Sequence, residues 1–206
     1  MKQLIIDLDN TIYPVSSIGE VLFKPLFELL TNPEYGLSED MIAKAKVQIM
    51  RIPYQKVAEQ FKFPEKLRDD SLKLLRELTY DGLMNWYEDY EDLRTLKNVR
   101  FLLTTGFKNL QQSKIDALGI RKDFKEIFVV DPDESSATKK DLMVEIMRKY
   151  QLSTTDLLVI GDDPASEINA AAELNIDSFL LDPQNEHVQS IAKYRGKTLK
   201  DVIPYI

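Results

Sequence analysis

The stretch that most constrains this chain is Leu4-Ile5-Ile6-Asp7-Leu8-Asp9-Asn10-Thr11, close to the N-terminus. Leu4, Ile5 and Ile6 make a short apolar run of the kind expected of a strand buried on both faces of a parallel sheet. Side chains alternate along a strand, so Asp7 and Asp9 emerge on one side and Leu8 on the other. Two carboxylates at the end of a buried strand repel each other and lose hydration. A hydrophobic core has no need of them, whereas a divalent cation and a phosphoryl group do. The plain alternative is an Asp-rich turn that follows a strand.

Beyond Thr11 the pattern turns helical. From about Val15 to about Tyr87, apolar residues recur at helical spacing, as in Val21, Leu22, Leu26, Leu29 and Leu30, and then Met41, Ala45 and Ile49. Asn32-Pro33, Gly36, Pro53 and Pro64 punctuate the segment, and Ser38 reads as an N-cap. Strand and helix then alternate. Val99–Thr104, Glu126–Asp131, Leu157–Ile160 and Ser178–Leu181 read as strands, with helices over Tyr90–Lys97, Asn109–Leu118, Lys139–Tyr150 and around Ile168–Ala172. About five apolar strands separated by helices predict an α/β fold, a doubly wound parallel sheet. Residues 1–14 and 88–206 form its Rossmann-like core, and 15–87 a helical insertion.

Residues that look out of place sit where these strands end, the edge at which open α/β sheets bind ligands. Asp7 and Asp9 end the first strand, Thr104 the second, and Asp162 follows Gly161 after the fourth; Lys139 opens the helix before that fourth strand. Composition narrows the chemistry. The chain has 206 residues, no cysteine and a net charge of −7. Disulfides and thiolate metal sites are excluded, and an acidic surface argues against a nucleic-acid polymer as partner. His187 is the only histidine, so His-cluster zinc chemistry and a Ser-His-Asp triad are not expected. No run of about 18 apolar residues could span a bilayer, and Asp7 interrupts the N-terminal apolar run, so a cytoplasmic protein without a leader is expected.

With these stations in place, the chain resembles the haloacid dehalogenase-like (HAD) superfamily. Asp7-Leu8-Asp9-Asn10-Thr11 matches the first family motif, Thr104 the Thr/Ser of the second, Lys139 the third and Gly161-Asp162 the fourth. The insertion stands where many members carry an α-helical cap. Asp-Leu-Asp-Asn-Thr-Ile-Tyr-Pro is also similar to the start of pyrimidine 5′-nucleotidase-like members. Two positions depart from the usual pattern: Thr105 stands where many relatives have Asn, and Glu167 where a second Asp is common.

The resemblance implies a Mg²⁺-dependent phosphomonoester hydrolase acting through an aspartyl-phosphate on a small phosphorylated metabolite such as a nucleotide or sugar phosphate. Asp7 is then the nucleophile and Asp9 the acid–base group. The metal is expected on the Asp7 and Asp162 side chains and the Asp9 carbonyl. Thr104, Thr105, Lys139 and backbone N–H groups near Gly106 are expected to bind phosphate. Adjacent Lys140 competes with Lys139 for that role, although spacing to the apolar face of the following helix favours Lys139. Pro164 suits a first helical position, making Asp163 the expected N-cap and leaving Asp162 for the cation. Glu167 would reach a metal-bound water or orient Lys139. Arg51, Lys56 and Arg68 could touch substrate, with solvated helix faces the plainer reading; His187 is read as a surface residue, and Trp86 as packing between insertion and core. The same core also serves phosphomutases and non-catalytic regulatory proteins, while Asp9 argues against a dehalogenase. A monomer or homodimer is expected.

Overall fold

Six short strands build one all-parallel sheet in the computed structural model, which describes residues 1–206. They are β1 (Gln3–Ile6), β2 (Arg100–Thr105), β3 (Glu126–Val130), β4 (Leu157–Gly161), β5 (Asp177–Leu181) and β6 (Tyr194–Gly196), in the spatial order β3-β2-β1-β4-β5-β6. β1 lies between β2 and β4, with Ile6 opposite Leu102 on one side and Ile160 on the other. The order of strands reverses between β1 and β4, and a crevice opens at such a switch point beyond the carboxyl ends. The chain's polar strand-end residues therefore collect at one place.

The sheet is buried on both faces, as its continuous apolar runs require. Ile5, Phe101, Leu103, Leu157 and Val159 face Met143 and Ile146 of α8 (Lys139–Tyr150) and Ala170 and Ala171 of α9 (Asn169–Glu173). Leu4, Ile6, Leu102, Leu158 and Ile160 face the opposite layer, which includes Leu110, Ile115 and Leu118 of α7 (Lys108–Leu118) and Leu199 and Val202 of a C-terminal 3₁₀ helix, Leu199–Tyr205.

Between β1 and β2 the chain forms α1 (Gly19–Leu22), α2 (Lys24–Leu30), α3 (Glu39–Ile49), α4 (Tyr54–Gln60), α5 (Glu65–Glu77) and, just before β2, α6 (Tyr90–Arg94). Ser38 caps α3 by accepting from Met41 N–H at 3.3 Å. Regular helix ends at Glu77, where the leucine spacing through Leu78 reads as a helix ending before Gly82; the stretch through Tyr80-Asp81-Gly82 returns without regular structure. Exit and return meet where Tyr87 N–H donates to Ile12 O at 2.8 Å. Further ties join the helices to the sheet layer: Arg76 pairs with Asp133 through two donors, and Tyr80 N–H donates to Ser113 Oγ at 2.9 Å. Trp86 lies partly buried beside Tyr90, with the Arg94 guanidinium 4.9 Å from its ring centre.

Two details differ from the sequence expectation. β6 adds a sixth strand; its Tyr-Arg-Gly carries no apolar run, and it forms only because β5 offers an open edge. The segment after β4 does not begin as a regular α-helix. Pro164–Ile168 winds as a π turn before α9 starts.

Candidate active site at the carboxyl edge of the sheet

Asp7 follows the last residue of β1 and Asp162 the last of β4; with Ile6 opposite Ile160 the two acids lie one residue apart in register across the switch point, and Thr11 contacts both. Thr138 and Asp141 form a reciprocal capping box that starts α8. This places Lys139 in the first turn, where the helix dipole disfavours a cation. Two carboxylates offset that cost: Lys139 Nζ lies 2.6 Å from Asp7 Oδ1 and 2.7 Å from Glu167 Oε2, all three groups being buried. Lys140 instead pairs with exposed Glu173. Thr11 Oγ1 donates to Asp162 Oδ1 at 3.3 Å and lies 3.5 Å from Asp7 Oδ2, between the two acids.

Glu167 reaches the cluster because the π turn aims it inward. Its second oxygen accepts Asp163 N–H at 2.8 Å, so the carboxylate is held from both ends. The glycine at 161 makes room: a Cβ there would overlap the Glu167 carboxylate. Asp163 is the N-cap, its Oδ1 accepting from Ala165 N–H at 2.8 Å beside Pro164.

Asp9 occupies a separate pocket of contacts. Lys114 Nζ lies 2.6 Å from its Oδ1 and 2.8 Å from its Oδ2. Gln111 Nε2 donates to Oδ2 at 2.9 Å, and the Tyr13 hydroxyl donates to Oδ1. The same Gln111 amide lies 2.9 Å from Thr104 Oγ1 and 2.7 Å from Thr105 O, tying Asp9 to the end of β2. Tyr13, Gln111 and Lys114 escaped the sequence reading. The available signal was polar Gln111 and Lys114, spaced i, i+3, in a helix whose other buried positions are Leu110, Ile115 and Leu118.

Two of the backbone N–H groups near Gly106, expected to meet phosphate, are engaged within the protein: those of Gly106 and Lys108. The Gly106 N–H extends the sheet by donating to Val130 O at 2.9 Å, and Lys108 N–H at the start of α7 is taken by Asp131 Oδ2 at 2.8 Å. Gly106 is needed for shape: its φ is +149°, and a Cβ would sit 2.9 Å from the Gln111 amide nitrogen.

These groups open onto a cavity of about 580 Å³ between the sheet edge and the helices that follow β1. Leu22, Phe23, Leu26, Met50 and Ile52 give it an apolar wall, with Arg51, Gln55 and Lys56 nearby. Arg51 and Lys56 are exposed as expected and yet line this cavity, whereas Arg68 does not. His187 is an exposed loop residue and does not line this cavity.

The electrostatics separate the acids. Burial pushes Asp7 up to about 7 against the pull of Lys139. Burial, then the charges of Asp7 and Glu167, push Asp162 up to about 8. Burial also raises Asp9, but Lys114, Gln111 and Tyr13 outweigh it and hold the carboxyl below its usual range. Asp7, Asp162 and Glu167 present oxygens all within 4.8 Å of one another, with one ammonium among them. An oxygen-only set with surplus negative charge suits a hard divalent cation.

Two outcomes are expected. Asp7 and Asp162 have folded-state values raised from 3.8, so burial favours their neutral forms. Their contribution to stability is complete below the unfolded value and is lost as pH rises through about 7 to 8. In chelator, thermal melts should show a falling Tm across that window, and Mg²⁺ should raise Tm more at pH about 8.5 than at pH about 5.5. An equal shift at both pH values would contradict this coupling. Gly161→Ala should destabilise by roughly 1–3 kcal/mol in urea unfolding, as overpacking against a doubly held carboxylate does.

The comparisons with known proteins agree with this geometry. A family model described as haloacid dehalogenase-like hydrolase matches residues 1–175. No curated protein sequence matches the chain. Among solved structures, Bacillus subtilis YfnB, described as a HAD-hydrolase and solved bound to magnesium, superposes with a TM-score of 0.70 at 18% identity, covering 99% of this chain and 97% of that one. A Clostridium difficile protein described as a phosphatase gives 0.73 at 16% identity, covering 100% and 99%. A HAD phosphatase from Thermococcus onnurineus gives 0.66 at 17%, covering 100% and 97%. At these identities the superpositions speak for the fold, and the family match over most of the chain carries the assignment: this chain belongs to the haloacid dehalogenase-like hydrolases.

Proposed function

We propose that the protein is a Mg²⁺-dependent phosphatase of small phosphomonoesters, with nucleotides and sugar phosphates as the substrate class. The observation that carries this reading is the Lys139 ammonium seated between Asp7 and Glu167, beside Asp162, at the mouth of the cavity. Phosphoryl transfer asks a site for an in-line nucleophile and for charge neutralisation, and little else.

In this reading an Asp7 oxygen attacks phosphorus, the ester P–O bond breaks, and the leaving oxygen takes a proton from Asp9. Water then attacks the aspartyl-phosphate, losing a proton to Asp9 as the bond to Asp7 breaks. Lys114 favours the ionised form of Asp9, which suits the second half. An arriving phosphate dianion raises its proton affinity, which suits the first. Thr104 donates a hydrogen bond to phosphate and Lys139 balances its charge. Asp7 and Asp162, with the Asp9 carbonyl, would hold the cation, which when bound neutralises phosphate charge. Glu167 orients Lys139, consistent with both of its oxygens being engaged. The helices from α1 to α5 serve as a cap, residues 15–87, closing over the chemistry and contacting the leaving group. The similarity of residues 7–14 to pyrimidine 5′-nucleotidase-like proteins makes nucleotides the first candidates.

Asp7→Asn should keep the fold and abolish turnover of an aryl phosphate, because an amide is a poor nucleophile; wild-type-like hydrolysis would defeat the mechanism. Three further variants separate the acids after β4. Asp162→Asn should sharply raise the Mg²⁺ requirement, and Glu167→Gln should raise it less. Asp163→Ala should mainly cost stability, about 0.5–2 kcal/mol for a lost cap. Magnesium titrations of activity and thermal melts distinguish the three, and a larger Mg²⁺ effect from Asp163→Ala than from Asp162→Asn would reverse the assignment.

A further inference from the structure

Lys114 is a buried cation whose hydrogen bonds all go to one group. Its residue is 4% exposed, its ammonium contacts both oxygens of Asp9, and the face of Tyr13 lies 5.7 Å from Nζ to the ring centre. Asp9 in turn has no other cationic partner. The helix does not need a lysine here, because its neighbours on the buried side are Leu110, Ile115 and Leu118, and an apolar residue of similar length would pack there. Replacing buried ion pairs by well-packed apolar residues is often neutral or stabilising. Gln111, 1% exposed, repeats the pattern from one turn earlier, spending its amide nitrogen on Asp9, Thr104 and Thr105.

Asp9 itself stands in a turn, just before Asn10 at a φ of +57°, with its side chain 27% exposed at the cavity rim. Left alone, such a side chain rotates freely. Proton transfer needs its oxygen within hydrogen-bond reach of the reacting atom, and a misplacement of about 1 Å can cost on the order of 10²-fold in rate. Lys114, Gln111 and Tyr13 grip both oxygens from behind.

We infer that Lys114, assisted by Gln111, is a positioning residue for the reaction: it fixes the Asp9 carboxylate in register with Thr104 and acts through Asp9 rather than on the phosphate. The inference rests on Asp9 being the acid–base group of the proposed phosphatase. A double-mutant cycle tests it, with wild type, Asp9→Asn, Lys114→Met and the double variant assayed on aryl phosphates with good and poor leaving groups at saturating Mg²⁺. Lys114→Met should lower kcat by about 10- to 100-fold, the range of a misaligned acid–base group, and leave KM within about threefold. In the Asp9→Asn background the same change should cost less than about threefold, since coupled residues are not additive. Equal losses in both backgrounds would overturn the inference, as would a raised KM with kcat unchanged, which would make Lys114 a phosphate ligand. An unimpaired Asp9→Asn would instead remove the acid–base role of Asp9, and the inference with it. If Lys114→Met does not fold by circular dichroism, Gln111→Met enters the same cycle. It breaks the link between Asp9 and Thr104 without unpairing a charge. It should lower kcat about 3- to 10-fold in the wild-type background only, and equal losses in both backgrounds would again overturn the inference.

Discussion

The ion pair that the site depends on joins Lys139, at the start of α8, to Asp7, at the end of β1, across 132 residues of sequence. A lysine in a helix's first turn and two carboxylates in a buried cleft are each unfavourable alone. Together they compensate, and they fix three elements against one another: α8 through Lys139, β1 through Asp7 and the π turn through Glu167. One ammonium still leaves the cluster short of positive charge, which is why burial raises Asp7 and Asp162 so far. Folding has stored an electrostatic demand at this point, and a hard cation or a protein proton can meet it.

Asp9 lies two residues from Asp7 and is treated in the opposite way. It has its own ammonium, an amide and a hydroxyl, and its carboxyl is held low where Asp7 is pushed up. Without a cation this order runs against the proposed roles, since a nucleophile must be ionised and a leaving-group acid protonated; a cation beside Asp7 and a phosphate dianion beside Asp9 would each shift its acid the required way. The separation is built by topology. β4 and α8 supply the surroundings of Asp7, whereas α7 and the start of the helical segment supply those of Asp9. The helices after β1 contribute an apolar wall facing the acids, and Arg76–Asp133 and Tyr80–Ser113 tie their far end to the sheet layer.

Much of the fold was legible because buried parallel strands need continuous apolar runs, and β1 to β5 each carry one. β6 carries none and exists by edge pairing with β5. The return stretch 78–89 keeps aromatic and apolar residues without a helix, so periodicity overran the end of α5. In the site, residues at strand ends were legible because a polar residue after an apolar run stands out. Lys139 over Lys140 followed from helical spacing, and Asp163 as cap followed from Pro164.

The sequence by itself determined the alternation of strand and helix, the acids that terminate β1 and β4, and the lysine that opens α8, because each depends on local period or on adjacent residues. Only the tertiary structure decided which groups surround each acid. Gln111 and Lys114 read as ordinary helix residues until α7 packs on the sheet and turns that face toward Asp9, more than 100 residues away in sequence. The N–H of Gly106 itself is spent on Val130 O of β3, a pairing that depends on strand order. Glu167 gained its place from a π turn that local propensity does not encode. Contacts across such separations depend on strand order and helix rotation, quantities set by the packing of the whole core.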